Sequence, residues 1–410
     1  MSTQQYPNYV AIPQQHQPVQ PPVKKRRGVA SFMAVAVLAA GIGGGTAWTA
    51  DRYLTPSSAT SITQVAGTSS TVTKVVQGNS SNPDWSQTAA AASTSVVSIT
   101  VTSGRSGAEG TGVIWDASGH IVTNNHVVSG LGTGATITVQ FGNATYDATV
   151  VGTDASSDLA VIKIASLPKG AQPITVADSD KVTVGQAVMA IGNPLGLSDT
   201  VTTGIVSALN RPVVTSGEST TPGSQADPVY TNAIQTSAPI NPGNSGGALV
   251  NANGELVGIN SAIATLSSSS ASSQSGSIGI GFAIPSNDVA QVVKQLIATG
   301  SADHAYLGLS STDGSATAAG VTLEGARVTS VASGTPAADA GLQAGDVITA
   351  VNQVAVTSSD SLVAQIRSAA VGEKVTLTVV RNGATSTLTA TLVAAPKTES
   401  TGSQPQVGGR

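Results

Sequence analysis

One short run concentrates the residue types that nucleophilic chemistry needs, Asn241-Pro-Gly-Asn-Ser-Gly-Gly247. A serine hydroxyl attacks a carbonyl only when a base takes its proton. Glycines around it let the backbone turn sharply and aim N–H groups at one point. The amides of Gly243 and Ser245 are the candidate oxyanion hole. In a chain with 45 glycines the same run also reads as an ordinary turn, so its partners must decide. The chain has four histidines. His16 lies in a Gln/Pro-rich stretch and His304 at a junction late in the chain. His120 and His126 stand near one apolar strand, His120–Thr123. His126, in Thr123-Asn-Asn-His-Val-Val128, is at the strand's end, where a side chain reaches a cleft. His120 follows the turn Asp116-Ala-Ser-Gly119 and is expected to point to solvent.

A third member must be a carboxylate that holds the imidazole tautomer and stabilises the imidazolium. Asp158 directly precedes the apolar run Leu159–Ile164 and suits a buried edge. Asp154 is its near rival, but Gly152-Thr-Asp154 reads as an exposed turn. The order His126, Asp158, Ser245 is that of chymotrypsin-type proteases. Gly243, Ser245 and Gly247 also fit the G-x-S-x-G elbow of α/β-hydrolases, an esterase reading. That elbow needs a helix after the serine and its histidine last in the chain. Here Ala248-Leu-Val, Asn251-Ala-Asn-Gly254 and Glu255-Leu-Val-Gly-Ile read instead as a β-hairpin.

The elements that must position these residues are mostly strands. Across 410 residues, 40% are hydrophobic but only 3% aromatic, so the cores are built from Val, Ile, Leu and Ala. Short apolar runs bounded by Gly, Asn, Asp or Ser recur at Val96–Val101, Thr136–Phe141, Leu159–Ile164, Ala187–Ile191 and Val201–Val206. This spacing predicts an all-β barrel or sandwich. From Ser286 the period becomes helical through Val289, Val292, Val293, Leu296 and Ile297, with Ser286 as cap and Gly300 as stop. No cysteine is present, which excludes disulfides and thiolate metal sites, and no cofactor or metal is expected. A net charge of −4 gives no reason to expect nucleic-acid binding.

The N-terminal region has a different texture. Residues 1–27 form a polar tail ending in Lys24-Lys-Arg-Arg27, and 28–50 carry no charge. About 20 apolar residues cross a bilayer as a helix, and flanking basic residues stay inside. The expectation is an uncleaved anchor over 28–50, with a cleaved signal peptide as the rival. Residues 51–82 read as a Ser/Thr-rich linker.

At this point the sequence resembles the HtrA/Deg serine proteases, trypsin-like domains followed by PDZ domains. The matching segments are Gly110-Thr-Gly-Val-Ile114, Thr123–Val128, Asp154-Ala-Ser-Ser-Asp-Leu-Ala-Val161, Gly192-Asn-Pro-Leu-Gly196, Gln235-Thr236, Asn241–Gly247 and Gly281-Phe-Ala-Ile-Pro285. The resemblance implies two β-barrels over 83–300, His126 and Asp158 from the first and Ser245 from the second. One departure is Ser237, where the family usually has Asp, which bears on the loop before the nucleophile. Pro239 stands six residues before Ser245, where proteases that cut after Lys or Arg place an aspartate. A small aliphatic residue is therefore expected before the scissile bond.

A second, α+β region over 301–395 resembles a bacterial PDZ domain through Gly334-Thr-Pro-Ala-Ala-Asp-Ala-Gly-Leu-Gln-Ala-Gly-Asp-Val-Ile348. Tyr306, Leu307, Gly308 and Leu309 form its candidate carboxylate loop, and Ser358–Ala369 its groove helix, with Leu362, Val363 and Ile366 on one face. Residues 396–410 read as a polar tail. The implied partners are unfolded polypeptides, C-terminal peptides, the membrane through one helix and, from the family, a homotrimer. The alternative function is a chaperone or PDZ scaffold with an inactive protease fold.

Overall fold

The computed structural model describes residues 83–396, apart from 132–133, 194–199, 217–227, 262–276 and 278. The helix expected over 28–50 lies outside the described residues, as do the expected linker to 82 and the tail from 397. Among the described residues no helix is long and apolar enough to cross a membrane.

Helix α1 (Trp85–Ala92) opens the fold, its first turn capped by the Asp84 carboxylate on the amides of Ser86 and Gln87. The strands β1 (Val96–Ser103), β2 (Ser106–Ile114), β3 (His120–Thr123), β4 (Thr136–Phe141), β5 (Ala144–Asp154) and β6 (Leu159–Ile164) close a first barrel in the order β1-β2-β3-β6-β5-β4. Helix α2 (Asn125–Ser129) lies between β3 and β4. The strands β7 (Ala187–Gly192), β8 (Thr200–Ser216), β9 (Pro228–Thr236), β10 (Ala248–Asn251), β11 (Leu256–Ser261) and β12 (Gly281–Pro285) close a second barrel in the order β10-β11-β12-β9-β8-β7. The hairpin expected after Ser245 is the pair β10–β11.

The inner strands are apolar on both faces because both faces are covered. Along β6, Ala160, Ile162 and Ile164 join Ile99, Ile114 and Ile121 in the first barrel's core. Alternate residues Leu159 and Val161 join a second cluster with Val113, Ile191, Val250 and Ile259. That period of two is the pleat of a strand. The second cluster also takes the buried face of α3 (Ser286–Thr299), through Val289, Val292, Val293 and Leu296. Gly300, at φ 78°, ends the helix as expected. Ser286 does not cap it; Pro285 holds the cap position, and the Ser286 hydroxyl donates to the Ala177 carbonyl at 2.7 Å.

The C-terminal unit pairs β13 (Ala305–Tyr306) with β20 (Val393–Ala394). Its main sheet runs β14 (Leu309–Ala318), β15 (Val321–Val331), β16 (Val347–Val351), β18 (Lys374–Arg381), β19 (Ala384–Thr391), and β17 (Val354–Ala355) pairs with β16. Two helices, α4 (Pro336–Asp339) and α5 (Ser359–Ser368), complete it. Pro336 begins α4, where its missing N–H has no partner to lose. Ser358 caps α5 by accepting from the Ser361 amide. Leu362 and Ile366 enter the unit's core, whereas Val363 is only half-buried. Helix α5 also packs against β8 and β9 of the second barrel.

Candidate active site

His126 is not at the end of a strand but in the first turn of α2. Asp158 reaches it from the turn before β6. Asp158 has φ 55°, a left-handed conformation that aspartate tolerates better than most side chains. This turn presents both the backbone and the side chain of Asp158 to α2. Its carbonyl accepts from the Asn125 amide at 3.1 Å and from Asn124 Nδ2 at 2.9 Å. Its carboxylate accepts from the His126 amide at 3.0 Å and faces Nδ1 of the ring at 2.8 and 3.0 Å. The Asn124 side chain makes no cap, so Asp158 supplies the acceptors that the start of α2 needs. Holding Nδ1 leaves Nε2, on the opposite side of the ring, as the nitrogen that can take a proton from a nucleophile.

The Asn241–Gly247 turn sits between the barrels. Thr111, on β2, donates its amide to the Ser245 carbonyl at 2.9 Å and its hydroxyl to the Gly243 carbonyl at 2.7 Å. Gly243 and Gly246 have φ of 93° and 79°. At Gly246 a Cβ would collide with the Thr111 carbonyl and the Thr123 hydroxyl and would lie 3.1 Å from the Asn124 nitrogen. The turn is thus pressed against the segment that leads into His126. The Asn244 carbonyl accepts from the Gly247 amide at 3.0 Å. A trans peptide points its C=O and N–H in opposite directions, so the Ser245 N–H faces away from that bond. Among the described residues, neither Gly243 nor Ser245 donates its amide to a protein acceptor.

Two expectations about the other titratable groups need correction. His120 does not point to solvent. It is buried, with Nδ1 2.6 Å from the Asp116 carboxylate, whose pKa, despite the opposing effect of burial, its bonds with His120 and Ser118 hold below the ordinary value. Asp154 is not an exposed turn residue. It is buried and bonded to Ser156, Ser157 and His304, the last at 2.8 Å. Burial pushes its pKa up, but His304 and the two serines outweigh that and keep it low. Asp154 therefore binds a different histidine, and it is Asp158 that meets the ring of His126. Ser237, the departure noted above, pairs with Ile205 of β8 in both directions. Its amide donates to the Ile205 carbonyl at 3.0 Å, and its hydroxyl accepts from the Ile205 amide at 3.0 Å.

The sequence and the fold have known counterparts. Residues 110–259 match a model described as a trypsin-like peptidase domain, and residues 276–392 match a PDZ domain. The chain is 43% identical over 365 residues to serine protease PepD of Mycobacterium tuberculosis, covering 87% of this chain and 75% of that protein. The chain belongs to the HtrA family of serine proteases. It is also 45% identical over 280 residues to the periplasmic serine endoprotease DegP of Escherichia coli, covering 67% of this chain but about half, 54%, of that one. A solved structure titled as the HtrA-type protease AlgW with a decapeptide shares 32% identity at a TM-score of 0.53. That match covers 76% of this chain and 99% of the other. The PepD and DegP relatives are named as serine proteases, and a trypsin-like peptidase domain is joined to a PDZ domain, so this HtrA chain is a serine endopeptidase.

In the PDZ unit the loop Tyr306–Leu309 lies where β13 passes into β14. Its carbonyls are turned inward, Leu307 accepting from the Ala337 amide at 2.8 Å and Gly308 from the Ala332 amide at 3.0 Å. By the same trans-peptide argument, the amides of Gly308 and Leu309 face the opposite way. Gly308 has φ 88°, and a Cβ there would collide with the Thr335 side chain. What reading of the sequence did not single out is Thr111 itself. It sits inside a family-like segment, but nothing in Gly110-Thr-Gly112 says that its hydroxyl faces a turn more than a hundred positions away.

Proposed function

We propose that the chain cleaves peptide bonds of unfolded or damaged exported proteins with Ser245 as nucleophile. His126 Nε2 takes the hydroxyl proton during attack and returns it to the leaving amine. Asp158 holds Nδ1–H and stabilises the imidazolium, and the Gly243 and Ser245 amides bind the oxyanion. The observation that carries this reading is the double contact of Asp158 with Nδ1 of His126, beside a turn whose Ser245 amide faces away from its neighbours. A small aliphatic residue before the scissile bond fits the wall formed where Ile240 packs on Gly281. A Cβ on that glycine would lie 2.8 Å from the isoleucine tip. Residues 83–300 form the protease domain and 301–395 the PDZ domain, which captures C-terminal peptides on the Tyr306–Leu309 amides. A helix over 28–50 anchors the chain, with the protease outside the cell membrane, and the family resemblance further implies a homotrimer.

The full-length chain tests this directly. Ser245→Ala and His126→Ala should each remove nearly all cleavage of unfolded casein and leave residual rates of similar size, because the triad acts as a unit. Undiminished cleavage by purified Ser245→Ala would remove Ser245 as the nucleophile, and absence of cleavage by the wild-type chain would favour the alternative, a chaperone or PDZ scaffold with an inactive protease fold.

A further inference from the structure

Every polar atom of Thr111 is used, and most of them hold the nucleophile turn. Its side chain is fully buried. The amide donates to the Ser245 carbonyl at 2.9 Å, and the hydroxyl donates to the Gly243 carbonyl at 2.7 Å. The hydroxyl oxygen also accepts from the Asn193 amide at 2.9 Å, and the Thr111 carbonyl accepts from the Thr123 hydroxyl at 2.7 Å. A hydroxyl carries one donor and two lone pairs, so this one spends its proton on Gly243 and one lone pair on Asn193. The residue comes from β2 of the first barrel, while Gly243, Ser245 and Asn193 belong to the second.

The consequence follows from the order of peptide planes. The hydroxyl pins the plane Gly243–Asn244, and the amide pins the plane Ser245–Gly246. The plane that carries the Ser245 N–H lies between those two. The plane that carries the Gly243 N–H is the next one along, on the other side of a glycine that any rotation would use as its pivot. We propose that Thr111 is a positioning residue of the oxyanion hole. Its hydroxyl fixes the direction of the Gly243 and Ser245 amides and ties them to Asn193, the residue that follows β7. The proposal rests on Ser245 being the nucleophile. A donor aimed in advance at developing charge lowers the barrier to reaction without strengthening the binding of the ground state. Loss of the hydroxyl should therefore appear in kcat and leave KM in place. A residue that only filled the core would affect thermal stability and leave the turnover of each folded molecule unchanged.

The experiment compares wild type, Thr111→Val, Thr111→Cys, Thr111→Ser and Ser245→Ala as full-length chains on an internally quenched peptide with valine before the scissile bond. Thr111→Val keeps the shape and removes the hydroxyl, and its kcat should fall about 10- to 100-fold while KM stays within about 2-fold. Thr111→Ser keeps the donor and should restore kcat to within about 3-fold of wild type, with the weaker donor of Thr111→Cys between the two. Affinity for a peptide aldehyde, which mimics the tetrahedral state, should follow kcat, and affinity for the cleaved product should not. Equal kcat for Val and wild type, or a fall in kcat matched by equal loss of aldehyde and product binding, overturns the proposal while Ser245→Ala stays inactive. If the Val variant does not fold, equal kcat in the Cys and Ser variants overturns it. Turnover that survives in Ser245→Ala overturns the nucleophile assignment and the role of Thr111 with it.

Discussion

At the scale of single residues, the site depends on an aspartate in a backbone conformation that few side chains adopt. Asp158 at φ 55° offers its carbonyl to Asn125 and Asn124 and its carboxylate to both the amide and the ring of His126. One residue thereby both starts α2 and orients the imidazole. Asp158→Asn keeps the size and one acceptor oxygen but removes the charge and presents an amide that can donate. The ring then settles in the wrong tautomer, and kcat should fall about 10³- to 10⁴-fold with the thermal midpoint little changed. A steady-state comparison with wild type checks this, and a loss below about 10-fold would remove Asp158 from the triad. The pairing of His126 with Asp158 was legible in the sequence because, of two histidines near one strand, His126 followed its end, and, of two rival aspartates, Asp158 directly preceded an apolar run. The partner of Asp154 was not legible. His304 lies 150 positions away, and no periodicity or motif links the two.

At the scale of elements, the strands were most readable where an apolar run is buried on both faces, as at Val96–Val101 and Leu159–Ile164, and the helix α3 because its period is unbroken from Val289 to Leu296. The start of α3 was misread because a distant acceptor, the Ala177 carbonyl, takes the Ser286 hydroxyl that a cap would use. The first turn of α3 also carries Asp288, whose pKa is raised to about 8 by burial and by the charge of Asp180. Its ordinary value is 3.8. Folding therefore favours the neutral acid. That contribution is fully present below about pH 4 and is lost as the pH rises through the folded value. Above pH 8 a charged Asp288 sits in a poor environment. Its partial contact with solvent screens the penalty, so the cost is about 1–2 kcal/mol rather than the full value of such a shift. Asp288→Asn should be more stable than wild type at pH 8.5 by about that amount and equal to it near pH 4. Urea melts at the two pH values measure the difference; a constant offset between them would mean that Asp288 does not titrate in this range.

At the scale of the whole molecule, the PDZ unit is fastened to the barrels rather than hung from them. His304 joins Asp154 at 2.8 Å, Gln291 of α3 donates to the Ala369 carbonyl at 3.4 Å, and the Arg367 guanidinium lies 5.0 Å from the centre of the Tyr230 ring. Arg367 belongs to α5, the helix proposed to line the peptide groove, and Tyr230 belongs to β9 of the barrel that carries Ser245. A peptide that shifts α5 must therefore strain a contact with the catalytic barrel. Of the three contacts, the His304–Asp154 pair is the most buried. Because Asp154 is held below its ordinary value of 3.8, its contribution is complete above that value and is lost as the pH falls through the lower folded one. At neutral pH it is intact, and His304→Ala removes it there while leaving a buried carboxylate short of a partner. Amide hydrogen exchange on the full-length chain is the suitable measurement, since it separates local loosening from global unfolding. His304→Ala should raise exchange about 10-fold at Ala305 and Tyr306 and along the C-terminal half of α5. The interior strand β6 should keep its protection. Exchange in α5 that stays at the wild-type rate would mean that the pair at Asp154 does not couple the peptide groove to the protease.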